Sequence, residues 1–218
     1  MKKMNSQNTQ SFKVLPFEMK NIPQILDVVV PMWSPHVGDA DFKRFNVEYI
    51  VRNNIFENDM RFELLVGESD NAGQTELSAV AGEFCSAAFF TRKGEVCKAA
   101  EWYDVESKKF PAELGVASEM SKTYIELMDK KTQALMNDDD IQLTLYVSRK
   151  PGCGSLLLNE LCARLKSSGY KNLYLWTDIE CNWEWYVKKG YELMQQESYE
   201  PFCEEHEDYK TFIFRKSL

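Results

Sequence analysis

The chain has 218 residues, enough for one sizeable core in a single domain spanning 1–218. Its apolar fraction is 44%, its net charge −8 and its pI near 5.0. That balance excludes a general nucleic-acid-binding surface, and no apolar run approaches the roughly 20 residues that cross a bilayer. The polar run Met1–Gln10 lacks the apolar centre of a secretory signal, so a frayed, disordered leader and a soluble, cytoplasmic protein are expected. Cys85, Cys97, Cys153, Cys162, Cys181 and Cys203 form no Cys-x-x-Cys pair, which reads as free thiols with no metal site.

Ser11 to Phe17 alternates apolar and polar and predicts a first strand. Asn21 is placed to cap a helix from Ile22 to about Met32, with Pro23 in its first turn. Asp41 is placed to cap a second helix over roughly 42–56, its apolar side carried by Phe42, Phe45, Tyr49 and Ile50. His36, on the loop between them, reads as a surface or packed histidine ahead of a catalytic one. Phe62–Gly67 and Leu77–Phe90 read as strands around a Ser69–Gly73 turn. Glu83 is the one charge in the second of these. It either points into a central cleft as a base or sits on the wet face, and the wet face is preferred.

Residues 91–140 hold a mixed stretch, then a predicted helix over Ala112–Met136, with Met120, Tyr124, Leu127, Met128 and Leu135 at helical spacing. Asn137–Asp140 ends it. Long insertions in compact domains are often lids or binding loops. Two readings stand: an insert that covers a binding site, or an outer layer or dimer contact.

Ile141–Val147 then reads as a strand, Ser148–Gly154 as a turn, and Ser155 onward as a helix with an apolar stripe at Leu158, Leu161, Cys162 and Leu165. Gly152 and Gly154 free the backbone to aim unpaired N–H groups and a positive helix end at one point, a seat for phosphate. A Walker loop would need Gly-Lys-Ser/Thr, and a dinucleotide fingerprint a third glycine; Gly154 is followed by Ser155 and Leu156, and position 157 is Leu. The run Arg149-x-x-Gly152-x-Gly154 resembles the acyl-CoA-binding signature of the GNAT superfamily of N-acyltransferases. The link from strand to turn is shorter here than is usual in that family. The resemblance implies that Leu145 and Val147 line the pantetheine arm of acetyl-CoA. It implies that Arg149, Lys150, Gly152, Cys153, Gly154, Ser155 and Asn182 contact the co-substrate.

The helix is expected to stop at Gly169, and Lys171–Trp176 to form a strand parallel to its predecessor. Thr177–Glu180 fits a capping box for a short helix that Gly190 ends. Asn182, Tyr186 and Gly190-Tyr191 resemble a second GNAT pattern, Asn…Tyr-x-x-x-Gly-Phe/Tyr. In relatives that tyrosine protonates the departing CoA thiolate, the catalytic role implied for Tyr186. Two final strands, Tyr191–Tyr199 and Asp208–Lys216, flank a charged loop. The expected fold class is α+β: an acyl-CoA N-acyltransferase (GNAT-like) fold, a mixed twisted sheet flanked by helices, with a helical insertion before the CoA-binding strand. The expected activity is acyl transfer from acetyl-CoA to a small-molecule or peptide primary amine, in a monomer or homodimer with no nucleic acid, membrane or metal partner. The alternative is a non-catalytic acyl-CoA-binding sensor or interaction module.

Overall fold

The computed structural model describes residues 10–56, 60–68, 83–97, 99–203 and 208–218. The expected turn at Ser69–Gly73 and the start of the strand expected from Leu77 lie outside these residues. The strands are β1 (Gln10–Pro16), β2 (Arg61–Glu68), β3 (Glu83–Arg92), β4 (Asp140–Ser148), β5 (Asn172–Asp178), β6 (Glu192–Ser198) and β7 (Lys210–Ser217). The helices are α1 (Ile22–Trp33), α2 (Ala40–Asn53), α3 (Ala99–Glu106), α4 (Gly115–Leu135), α5 (Cys153–Ser167) and α6 (Trp183–Lys188).

The strands make one seven-stranded sheet in the order β1-β2-β3-β4-β5-β7-β6. All neighbours are antiparallel except β4 and β5, which α5 connects as a parallel crossover. That parallel pair is short. It runs through Asp140↔Asn172, Ile141↔Leu173 and Gln142↔Tyr174 and then parts.

The parting coincides with a bulge in β4. Phe89 and Phe90 of β3 face Leu145 and Leu143, so Thr144 is an extra residue. Its hydroxyl lies 3.2 Å from the carbonyl oxygens of both Asn54 and Phe89. The inserted residue reverses the side-chain alternation. Ile141 and Leu143 pack on the α5 side of the sheet, whereas Leu145 and Val147 pack beneath α1 and α2, and Tyr146 turns toward α5.

Three apolar clusters hold the layers. On one face, Leu157, Leu158, Leu161 and Leu165 of α5 meet Phe90, Ile141, Leu173 and Phe214. On the other, Ile25 and Val29 of α1 and Val47 and Val51 of α2 meet Phe89, Leu145 and Val147. Beside them, Tyr124 and Met128 of α4 meet Tyr174, Tyr209 and Ile213. The insertion is therefore an inner layer of the C-terminal half-sheet. Its front part, α3, docks on α2 through rings: Phe45 lies 5.6 Å from Trp102 and Tyr49 lies 4.8 Å from Tyr103.

Four local expectations change. Asp39, not Asp41, caps α2, its carboxylate accepting from the Phe42 amide at 2.9 Å. Asn21 stands at the N-cap of α1, but its amide donates to Glu63 Oε2 at 2.7 Å instead of capping. Helix α5 begins at Cys153, two residues before Ser155. Thr177 and Asp178 are the last residues of β5 rather than a capping box, and α6 begins only at Trp183.

Candidate active site

The turn between β4 and α5 is closed from inside the chain. Gly152 has φ +85°, a conformation that disfavours any side chain, and it ends the turn at the head of α5. The Ser148 hydroxyl donates to the Lys150 carbonyl at 3.0 Å and accepts from the Gly154 amide at 3.0 Å. The Cys153 amide reaches the Lys150 carbonyl at 3.3 Å. Among the described residues, the amides of Gly152 and Ser155 carry no hydrogen bond. The seat is thus half filled by the chain's own serine and half open. Gly154 is needed for space: a Cβ there would run into the Tyr146 phenol and stand 3.0 Å from Ser148 Cβ.

The neighbouring residues fall into two groups. Leu145 and Val147 are buried under α1 and α2, and the Val147 carbonyl accepts from Ser86 Oγ at 2.7 Å. Cys153 is buried under the turn beside Cys85, and burial raises the Cys85 thiol above its ordinary value. Arg149 extends β4 through its amide, which donates to Cys85 O at 2.8 Å, and its residue surface is exposed. Lys150 pairs with Glu83 at 2.5 Å. That hydrogen-bonded ammonium holds the Glu83 carboxyl below the usual carboxylate range. Glu83 is therefore an exposed partner of the turn, at the wet end of β3, and does not line the central cavity.

Beyond the turn, β4 and β5 diverge around a cavity of about 650 Å³. Thr144, Leu145 and Tyr146 line one side and Trp176, Thr177 and Asp178 the other. The loop after α1, including His36, forms a second wall, and the first half of α4 a third. Tyr186 does not line the cavity itself. It sits behind Tyr146, its ring 5.2 Å from Trp185, 5.3 Å from Tyr191 and 5.8 Å from Phe214. Burial holds its phenol well above the ordinary value, so it is a protonated donor at neutral pH. Asn182 stands exposed at the N-cap of α6 and makes no side-chain cap. The fold thus gathers Cys153, Gly154, Tyr146 and Tyr186 on the α5 side of the sheet, while Asn182 follows Cys181, a residue of the cavity wall.

Sequence reasoning missed the far wall. Asp178 is buried, and the Tyr124 hydroxyl donates to its Oδ2 at 3.2 Å. The Tyr209 hydroxyl also hydrogen-bonds it, and the Glu180 amide donates to its Oδ1 at 3.2 Å. Burial, before any other cause, drives both phenols far above their ordinary value. One signal was available. The alternation Tyr174, Trp176, Asp178 continues the strand period two residues past its assumed end.

A scan against protein-family models and a search of curated proteins return no match. Solved structures do match. The C-terminal condensation domain of Ebony, in complex with beta-alanyl-dopamine, aligns at TM-score 0.60 and 9% identity, over 96% of this chain and 100% of that one. A mosquito arylalkylamine N-acetyltransferase-like protein, 5b, aligns at TM-score 0.50 and 12% identity, over 95% and 100%. A GNAT-family acetyltransferase from Streptococcus pneumoniae aligns at TM-score 0.48 and 15% identity, over 95% and 100%. The first two likenesses, with the seven-stranded mixed sheet, give the fold: it is that of the GNAT acyl-CoA N-acyltransferases.

Proposed function

We propose that the protein transfers an acyl group, most simply acetyl, from acyl-CoA to a primary amine within a ternary complex. The observation that carries this reading is the gap between β4 and β5, which leads from a glycine turn with open amides into a cavity able to take a second substrate. The residues fit the donor. The amides of Gly152 and Ser155 point the head of α5 at a diphosphate, and rotation of Ser148 would free a third. Arg149 and Lys150 supply positive charge at the same turn, and the wall at Leu145 offers apolar surface to the arm.

Catalysis in this reading rests on holding two reactants together. The amine reaches the thioester carbonyl from the cavity side. A C–N bond forms, the C–S bond breaks, and the electron pair leaves on sulfur. Tyr186 gives the departing thiolate its proton, the amine loses one to water or to a cavity carboxylate, and solvent returns that proton to Tyr186. Burial keeps the proton on Tyr186 until sulfur carries charge; with a thiol pKa of about 8.5 the complete transfer is uphill, so the phenol acts first as a hydrogen-bond donor to the departing sulfur. Backbone N–H groups on the edge of β4 beyond Gln142, which β5 leaves unpaired, would stabilise the oxyanion in this reading.

Calorimetry with acetyl-CoA, followed by thiol release on an amine panel, tests the reading. Binding with release is expected. Binding without release on any amine would favour the sensor reading, and no binding would end both. In the active enzyme, Tyr186→Phe is expected to lower kcat on the order of 10²-fold with CoA affinity kept. An unchanged kcat would remove Tyr186 from the mechanism.

A further inference from the structure

The end of the cavity beneath α4 has a composition of its own. Trp176, Tyr124, Phe202 and Tyr209 line it, with the Tyr124 ring 5.4 Å from Trp176 and 5.1 Å from Phe202. Asp178 lies among them at 8% exposure, held by two phenol hydroxyls and one backbone amide. The other lining carboxylates are Glu113 and Glu180, both exposed. No lysine or arginine lines the cavity among the described residues.

A buried carboxylate that faces a cavity is stabilised best by a cation brought into it. Aromatic faces attract the same cation and accept an apolar body beside it. An acceptor bearing its own carboxylate finds no lysine or arginine in these walls among the described residues, and its charge would meet that of Asp178. From this we infer that Asp178 is the ammonium-binding residue of the acceptor site, and that the acceptor is a primary amine on an aromatic or apolar body without a carboxylate. The inference rests on the acyl-transfer reading only for what happens to that amine. The binding itself is independent of turnover.

The two are therefore measured separately. Intrinsic tryptophan fluorescence, with Trp33 and Trp176 in the cavity walls, reports binding of 2-phenylethylamine. Its neutral analogue 2-phenylethanol, its amino-acid analogue phenylalanine and the polyamine spermidine complete the probe set. Saturable binding of 2-phenylethylamine is expected, with the alcohol and phenylalanine weaker by at least about tenfold. Asp178→Asn is expected to weaken 2-phenylethylamine by at least about tenfold while acetyl-CoA affinity stays the same. If that variant does not fold, Tyr209→Phe, which removes one holding hydroxyl, should weaken the same amine and leave the alcohol unchanged.

Thiol release is then followed with the same compounds. Binding of 2-phenylethylamine without thiol release upholds the Asp178 site and counts against acyl transfer. Thiol release with spermidine or phenylalanine preferred over 2-phenylethylamine overturns the substrate class and leaves acyl transfer standing. Equal binding of the amine and the alcohol, or an Asp178→Asn enzyme as tight as the parent, overturns the role of Asp178.

Discussion

At the scale of single residues, the turn before α5 is governed by volume as much as by hydrogen bonds. Gly154 is packed against the Tyr146 phenol and Ser148 Cβ, so its missing side chain is a steric requirement. Gly154→Ala should cost about 1–3 kcal/mol, the usual penalty for forcing a methyl into a packed site. Most of that loss should vanish in a Tyr146→Leu background, where the hydroxyl end is gone. A double-mutant cycle by urea denaturation checks this coupling. The glycines were legible from sequence because turn chemistry is local: two glycines between a branched strand and an apolar helix stripe leave few alternatives. Asp178 was not legible as a site residue. Its meaning comes from Tyr124 and Tyr209, which are 54 residues before it and well after it in the chain, and which only the folded sheet brings to its oxygens.

At the scale of elements, β4 and α4 each carry a device that can be tested. Thr144 is one residue too many for the ladder with β3, and everything beyond it is phased by that excess. Deleting Thr144 would leave a regular ladder, Leu143 opposite Phe90 and Leu145 opposite Phe89, with Leu145, Tyr146 and Val147 on the faces they already occupy. The variant should therefore keep a cooperative thermal transition by circular dichroism; loss of that transition would mean that the faces are not phased in this way. Helix α4 is tied to the sheet by Asp129, whose Oδ1 accepts from Trp176 Nε1 and Gln142 Nε2, both at 2.7 Å. Burial pushes the Asp129 carboxyl up to about 6, with the two donors pulling the other way. An ordinary carboxyl titrates near 3.9 in the unfolded chain. The folded state therefore holds this proton more tightly. The stability Asp129 contributes is fully present below about pH 4 and is lost as pH rises through about 6, by about 3 kcal/mol at most. Asp129→Asn keeps an acceptor oxygen for both donors and cannot ionise. The parent-minus-variant difference in urea stability should fall between pH 4.5 and 7 and stay flat above. A difference independent of pH would mean that Asp129 is not the titrating group. Neither device was readable beforehand: the strand was recognised, but a bulge leaves no mark in an apolar run, and α4 showed its stripe without saying which sheet would take it.

At the scale of the whole molecule, the insertion changes meaning. Read as sequence, residues 91–140 stood as either a lid or an outer decoration. In the fold, α3 completes an aromatic cluster on α2, and α4 supplies Tyr124 and Met128 to the core over β5 and β7. Removing residues 95–135 would strip that core, and the expected result is unfolding rather than a selective change in acceptor KM. A narrower change isolates the cavity. Met120 lines it from the first half of α4 and is 39% exposed, so it has room to be enlarged without disturbing the interior. Met120→Trp should raise the acceptor KM several-fold, on the order of the 1–3 kcal/mol that pocket contacts carry, and leave the acyl-CoA KM unchanged. Steady-state kinetics with each substrate varied in turn would decide it.

The three residue pairs that join β4 to β5 are, among the described residues, the strand-paired seam between a run of four strands and a run of three, with α5 and Asp129 bridging the two from either face. Each side is braced by long antiparallel ladders, so the seam is where the molecule can breathe. An extended guest with amide groups, laid along the opening, would act as mortar, bonding to edges the two strands withhold from each other. A calorimetric trace of the loaded protein should then move to higher temperature as the guest concentration rises.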